Sequence, residues 1–385
     1  MTLIDSRVYT PTSVAGLKDI LLRVLTTRVA WPILMTIGLL CTASILALQL
    51  SSPTRADKQQ IWLLVGLGVI LVSLLPHFHI LGRIAYALYG AALVLLVGVF
   101  FAPEVAGTHR WFVLPGDIQV QPSELAKIAF VLSLAWYLRW RKNIRTLNGL
   151  VVPFALALVP FALILKEPDL GTAMLFPLVL YAMLIAAGAR LRHLVAIALF
   201  AAFVIPGSYP FLRPYQQQRV VSFAKQILGQ EDESHKAGAG YQQFQSKAAI
   251  GSGGLTGKGA EAAQHFRQGI LPEAYTDFIF AVIGAQWGIL GCTIIIVMYL
   301  AFFMASVEIA SSTRDSFGRL LVVGLSSMIL FQATINMYMT VGLGPVTGIS
   351  LPFVSYGGSS LLASMLAAGL LLNVSVRRNF QSAAK

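Results

Sequence analysis

Four places in this 385-residue chain set ionisable or irregular residues against long apolar runs. A charge at membrane depth is costly enough to make each of them a functional candidate. The first is Gln121-Pro122-Ser123-Glu124-Leu125-Ala126-Lys127. Pro at a tolerated first helical position opens a helix there, and Glu124 and Lys127, three apart, share one face. A helix-stabilising ion pair would give the same spacing. Placement at the start of a short span, beside a loop holding Arg110 and Trp111, is what favours a site. The second is Lys166-Glu167-Pro168-Asp169, a tight turn between two long spans, where Asp169 is either a solvated loop charge or a substrate contact. The third, from Leu271 to Phe280, carries Asp277 at the rim of an uncharged run of thirty residues, Phe278 to Val307. Partial burial there would raise its pKa towards that of a general base, and the competing role is an Asp capping the helix that follows. The fourth runs from Val341 to Ser360, rich in Gly, Pro, Ser and Thr and including Ser355 and Tyr356. Non-helical chain near membrane depth is tolerated where it is buried in protein or lines a cavity, so this segment should wall a polar site; a glycine-permitted turn is the plainer alternative.

The elements that must position these residues follow from composition. Soluble proteins carry about 25% charged residues. This chain has 11% charged and 57% hydrophobic residues, with a mean hydropathy of +0.75. That predicts an all-α integral membrane protein forming one polytopic domain over residues 1–385. A span needs about 20 apolar residues. Suitable segments lie near 30–50, 60–76, 83–101, 123–140, 149–165, 170–188, 193–209 and 278–304, and the uncharged stretch 320–376 has room for two more. About ten transmembrane helices are therefore expected. The weakly apolar, basic start and the length of the 30–50 run make it an uncleaved first span, not a signal peptide. The net charge of +12 comes mostly from residues flanking spans, which argues for membrane placement and against nucleic acid. Cys41 and Cys292 lie inside apolar runs and read as small hydrophobes.

Charge also orients the bundle. With both termini cytoplasmic, the inner segments hold Lys18, Arg23 and Arg28, then Arg139, Arg141 and Arg145, then Arg190 and Arg192, Arg314 and Arg319, and Arg377 and Arg378. The short outer loops hold only Arg55, Lys58, Arg110 and Lys166. All four candidate places then face the extracytoplasmic side. So does a large loop over 210–276, too long to be a plain linker. Within it, Val220, Ala224, Ile227 and Leu228 form a helical stripe flanked by Arg219 and Lys225, as an interfacial helix would need, and Tyr241, Phe244 and Ala248 repeat the pattern. Gly251 to Gly259 reads as a mobile glycine-rich stretch with a superficial likeness to a phosphate loop. It fails that pattern at Ser252 and at Gly259. No zinc, haem, flavin or nucleotide motif is present, and His77 and His79 read as polar loop groups.

The motifs resemble those of the SEDS family of bacterial cell-wall polymerases, which contains RodA and FtsW. The resemblance rests on Gly107-Thr108-His109-Arg110-Trp111 followed by Gln121-Pro122-Ser123-Glu124 and Lys127; on Pro168-Asp169-Leu170-Gly171-Thr172; on Pro272-Glu273 with Thr276-Asp277-Phe278-Ile279-Phe280-Ala281; and on Asn336 through Leu351-Pro352-Phe353-Val354-Ser355-Tyr356-Gly357-Gly358-Ser359-Ser360. It implies a SEDS-type bundle in the bacterial cytoplasmic membrane that polymerises lipid II into a growing glycan strand, beside a class B penicillin-binding protein. It also implies that Asp277 is catalytic and that Glu124 and Lys127 line the central site, with Asp169, Ser355 and Tyr356 as further substrate-binding candidates. Two positions depart from the family pattern: Tyr275 stands where many relatives have His, and Ala285-Gln286 where they have Glu-Glu.

One carboxylate suffices for such chemistry. Glycosidases need a second to protonate a poor leaving group, whereas undecaprenyl pyrophosphate already leaves well. The expectation is that Asp277 deprotonates the acceptor 4-hydroxyl, which displaces the pyrophosphate with inversion. Arg110, Lys127, Arg213 and Arg219 are the expected partners of the departing anion, and a divalent cation such as Mg is left open. A lipid II flippase and a non-catalytic scaffold are the competing functions. The Gly251-Ser252-Gly253-Gly254 and Pro345-Val346-Thr347-Gly348-Ile349 runs look more like RodA, the elongation polymerase, than FtsW, the division one.

Overall fold

Hydrocarbon offers a backbone no water to bond, so each crossing segment must satisfy its own N–H and C=O groups. The computed structural model is accordingly helical. It describes residues 17–105, 107–115, 118–141, 143–207, 217, 221 and 239–377. In chain order these form α1 (Leu17–Thr26), α2 (Ala30–Ser51), α3 (Pro53–Leu74), α4 (Phe78–Arg83), α5 (Ala85–Gly98), a ribbon of β1 (Phe112–Leu114) and β2 (Ile118–Val120), α6 (Pro122–Leu138), α7 (Leu147–Lys166), α8 (Leu170–Ala186), α9 (Leu191–Gly207), α10 (Ala239–Ser252), α11 (Gly259–Arg267), α12 (Ile279–Ser312), α13 (Ser316–Thr340) and α14 (Gly358–Arg377). Six of these, α2, α3, α7, α12, α13 and α14, are long and apolar enough to cross a membrane, and shorter apolar helices cover Ala85–Phe101, Leu170–Ala186 and Leu191–Phe203. With α6 they occupy the ten positions expected from the sequence. The antiparallel ribbon, in register Phe112↔Val120, is a small β addition that hydropathy does not announce.

Burial separates the centre of the bundle from its lipid-facing rim. The most apolar windows of α14 and α13 are 72% and 67% buried, against 28% for α3 and 33% for α7. In α6 only Leu125, Trp136 and Tyr137 escape full burial. A helix enclosed on all sides needs no apolar stripe, which is why α6 can carry Ser123, Glu124 and Lys127 inside the protein.

Two expectations are corrected. The span near 278–304 is the greater part of α12, which runs on to Ser312 and whose 34 residues would reach about 51 Å if straight. It is broken at Gly288, in a left-handed conformation at φ 67°. The cause is the glycine-rich run, which is packed, not mobile. Lys258 N–H donates to Ala285 O at 2.9 Å, Ile289 N–H to Gly254 O at 2.9 Å and Leu290 N–H to Leu255 O at 3.2 Å. A Cβ on Gly257 would lie 2.1 Å from Gln286 O and one on Gly288 2.4 Å from Leu255 O, so backbone meets backbone only because neither residue has a side chain. Nothing remains of a phosphate cradle.

Of the expected loop, α10 is tied to the end of α13. Gln243 Nε2 donates to Met339 O at 3.0 Å and Gly344 O at 2.7 Å, and Ser246 Oγ to Thr340 O at 2.8 Å, which satisfies carbonyls a helix end leaves open. The stripe over 220–228 and the candidates Arg213 and Arg219 lie outside the described residues. At the other end of the bundle, His79 Nε2 lies 3.3 Å from Asp315 Oδ1, whose other oxygen caps α13 at Gly318 N–H. This is a structural role for His79, one of a histidine pair that could have read as a chelate.

Candidate active site

The irregular chain between α13 and α14 is the frame of the site. Carbonyls without helical partners are met at this depth by side chains, and five of those in this segment are met from neighbouring helices. Asn336 Nδ2 donates to Ile349 O at 2.6 Å, Gln332 Nε2 to Ser350 O at 3.1 Å, Ser44 Oγ to Val354 O at 2.6 Å and Gln59 Nε2 to Ser355 O at 3.1 Å. Tyr299 OH donates to Pro352 O. Five donors from α2, α3, α12 and α13 thus hold one loop, so it is fixed in place and walls a polar region, as a plain turn would not.

Asp277 is held against this frame. Its carbonyl accepts from Asn336 Nδ2 at 2.7 Å, and the Asp277 side chain lies beside Gly348, which stands at φ 76°. Ser355 Oγ donates to Thr276 O, and Tyr356 N–H to Tyr275 O at 2.9 Å. Ser355 and Tyr356 therefore position the Asp277 turn through its backbone. The N-cap of α12 is Phe278, so Asp277 stands one residue before the position that an N-capping Asp occupies. Asp277 is partly exposed at the rim, while Phe278 behind it is fully buried.

Tyr275 and Gln286, the two departures from the family pattern, both reach α2. Tyr275 OH donates to Ser51 O at 3.1 Å and Gln286 Nε2 to Ala47 O at 3.2 Å. Burial pushes the Tyr275 phenol above its usual range, which keeps it a neutral donor. The Arg55 guanidinium stacks 4.7 Å over the Tyr275 ring and 6.0 Å from that of Tyr356, an exposed cation beside the Asp277 turn that a reading of isolated motifs misses.

Glu124 and Lys127 meet as their spacing predicts. Lys127 Nζ lies 2.9 Å from Glu124 Oε1 and 2.9 Å from Gln332 Oε1, with Glu124 at 5% and Lys127 at 3% exposure. The helix carrying them is pinned at its start, where Gln121 N–H donates to Ser359 Oγ at 3.0 Å and Gln121 Nε2 to Asp169 Oδ2 at 3.1 Å. Asp169 is not a solvated loop charge. It is buried, and its Oδ1 caps α8 at Thr172 N–H at 3.0 Å. Arg110 reaches the same turn, donating from Nε to Glu167 O at 2.7 Å and from Nη2 to Pro168 O.

Glu167 is the residue the sequence reading passed over. It is 1% exposed, and neither carboxyl oxygen has a hydrogen-bond partner among the described residues. Burial foremost, and then the charge of Asp169, push its pKa from the ordinary 4.5 to about 8, against an opposing pull from Arg110. An acid whose pKa is higher in the folded state adds stability that is full below about pH 4.5 and lost as pH rises through about 8. Glu167→Gln should therefore flatten the fall in thermal unfolding midpoint between pH 5 and 8 and raise the midpoint at pH 8. Each pH unit in that interval is worth up to about 1.4 kcal/mol. Parallel midpoint curves for the two proteins in detergent would refute this.

A family model described as cell cycle protein, FtsW/RodA/SpoVE, matches residues 20–380. Relatives include a probable peptidoglycan glycosyltransferase FtsW of Geobacter sp. strain M18, 34% identical over 363 residues and spanning 90% of this chain and 96% of the relative. The peptidoglycan glycosyltransferase MrdB of Escherichia coli K12 is 36% identical over 297 residues, 77% of this chain and 78% of MrdB. Among solved structures, the rod shape determining protein RodA of Thermus thermophilus superposes with a TM-score of 0.68 at 28% identity, covering 91% of this chain and 98% of that one. A chain from a peptidoglycan synthase complex, described as coordinating polymerization and crosslinking, gives a TM-score of 0.79 at 29% identity, covering 91% and 98%.

Proposed function

Since this chain belongs to the FtsW/RodA/SpoVE family of SEDS membrane proteins and is a peptidoglycan glycosyltransferase, we propose that it polymerises lipid II, with Asp277 as the general base. The observation that carries the reading is the presentation of Asp277: a partly exposed carboxylate at the rim, fixed through its own backbone to a loop that side chains of four helices hold in place. Such a group can take the proton of an acceptor 4-hydroxyl as that oxygen attacks the donor anomeric carbon. The bond to the undecaprenyl pyrophosphate breaks as the new glycosidic bond forms on the opposite face, so the configuration inverts. The pyrophosphate departs as an anion and needs positive charge, not a second acid.

Arg110 and Lys127 supply that charge from within hydrogen-bonded settings, acting through their field. Arg55, exposed over Tyr275 and Tyr356, adds a cation able to touch the phosphates directly. Among the described residues no three His, Cys, Asp or Glu side chains gather into a cage for Mg.

We place the site on the extracytoplasmic face of the bacterial cytoplasmic membrane, with a class B penicillin-binding protein as crosslinking partner, in line with the synthase complex that contains a similar chain. Elongation, the RodA role, is the assignment we favour over division. Purified protein given lipid II, with and without such a partner, should yield glycan polymer and release undecaprenyl pyrophosphate. Translocation of lipid II in vesicles without polymer would favour a flippase instead. A fluorescent fusion confined to the septum would overturn the elongation assignment.

A further inference from the structure

Gln332 and Asn336 lie one turn apart on the same face of α13, at 3% and 0% exposure, and both hold one dipeptide of the irregular chain. Asn336 Nδ2 joins Ile349 O to Asp277 O, at 2.6 and 2.7 Å. Gln332 Nε2 donates to Ser350 O at 3.1 Å, while Gln332 Oε1 accepts from Lys127 Nζ at 2.9 Å. Chemistry fixes the sense of the Gln332 amide, because an ammonium only donates and a carbonyl only accepts. Ser350 Oγ, 2.5 Å from Ser360 Oγ, carries the link into the first turn of α14. The deep ion pair on α6 and the rim carboxylate in the turn before α12 are thus connected through two neighbouring amides.

We infer that Gln332 is a positioning residue of the transfer reaction: it bridges the Glu124–Lys127 pair to the Ile349–Ser350 backbone that Asn336 joins to Asp277, and so sets the offset between cation and base. The inference rests on the roles proposed above for Asp277 and Lys127. It follows from what each alternative side chain would do. Met fills the same volume and makes neither bond. Glu still accepts from Lys127 but cannot donate to Ser350 O, and it adds a titrating group beside the pair. Asn has both functions and falls one methylene short.

Misplacement by about 1 Å in a catalytic constellation can cost about 100-fold in rate. Gln332→Met in the full chain should accordingly lower kcat for lipid II polymerisation by about 10- to 100-fold, with KM within about threefold of wild type. Gln332→Glu should lower kcat less and introduce an added ionisation in the pH–rate profile, absent from the wild type and from Gln332→Met. A kcat for Gln332→Met within twofold of wild type overturns the inference. So does a pair of variants whose activity merely tracks the folded fraction given by thermal unfolding, including the case in which neither folds, because that is a structural role alone. The wild type in the same assay separates the two levels of argument. No polymer from the wild type overturns the proposed function and this inference with it, whereas equal polymer from wild type and Gln332→Met overturns this inference only.

Discussion

Purified Asp277→Asn should fold like the wild type and polymerise lipid II about 100- to 10,000-fold more slowly. The fold is expected to survive because the Asp277 turn is held by its backbone. Asn336 binds the Asp277 carbonyl, Ser355 binds Thr276 O, and Tyr356 N–H binds Tyr275 O. The helix that follows has Phe278, not Asp277, at its N-cap. The substitution keeps the size of the side chain and removes its basicity. General-base catalysis is worth about 100- to 10,000-fold, so kcat should fall within that range, with little change in KM if lipid II is gripped mainly by other groups. Asp277→Ala should fall as far. The measurement is polymer yield on a gel together with undecaprenyl pyrophosphate release, read beside the unfolding midpoint. An Asn variant that keeps more than about a fifth of wild-type kcat would remove Asp277 from the role of base.

The parts of this molecule legible in its sequence are those that local physics dictates. A bilayer demands runs of apolar residues, so the ten helices stand where hydropathy puts them. An i, i+3 spacing brings Glu124 to Lys127 whatever surrounds them. What stayed hidden depends on distant chain. Glu167 looks like an ordinary loop charge, and its burial arises from contacts such as Arg110 arriving from another loop. Glycines at 253–259 look mobile until the kink of α12 docks on them. The burial of Asp169 was not legible because its partner, Gln121, lies 48 residues away. Gln332 and Asn336 did leave a trace, as strongly polar amides within an uncharged apolar stretch, where an uncompensated polar group is expensive and therefore held for a reason. Neutral side chains carry no charge to draw attention, and their meaning appears only once Ser350 and Ile349 are folded back onto them.

The other large effect belongs to the ion pair. Lys127→Met should destabilise the protein by about 3–5 kcal/mol, because it leaves Glu124, at 5% exposure, without the cation that justifies its burial. Glu124→Gln should cost less, since a neutral amide can accept from Lys127 while Lys127 keeps its bond to Gln332 Oε1. The informative protein is the double variant Glu124→Gln/Lys127→Met. Removing both charges removes the unpaired anion, so the double variant should regain most of the stability lost by Lys127→Met, the opposite of additive damage. It would leave Gln332 Oε1 without its donor, which is why recovery should be incomplete. Activity should behave differently from stability. If the positive charge of Lys127 helps the pyrophosphate to leave, the double variant will be well folded and still inactive, whereas a pair present only to hold α6 in place would give back activity with the fold. Unfolding midpoints of the four proteins, set beside polymer yield per folded molecule, decide between these. Additive destabilisation in the double variant would sink the unpaired-charge argument, and restored polymerisation would remove Lys127 from the chemistry while leaving it in the structure.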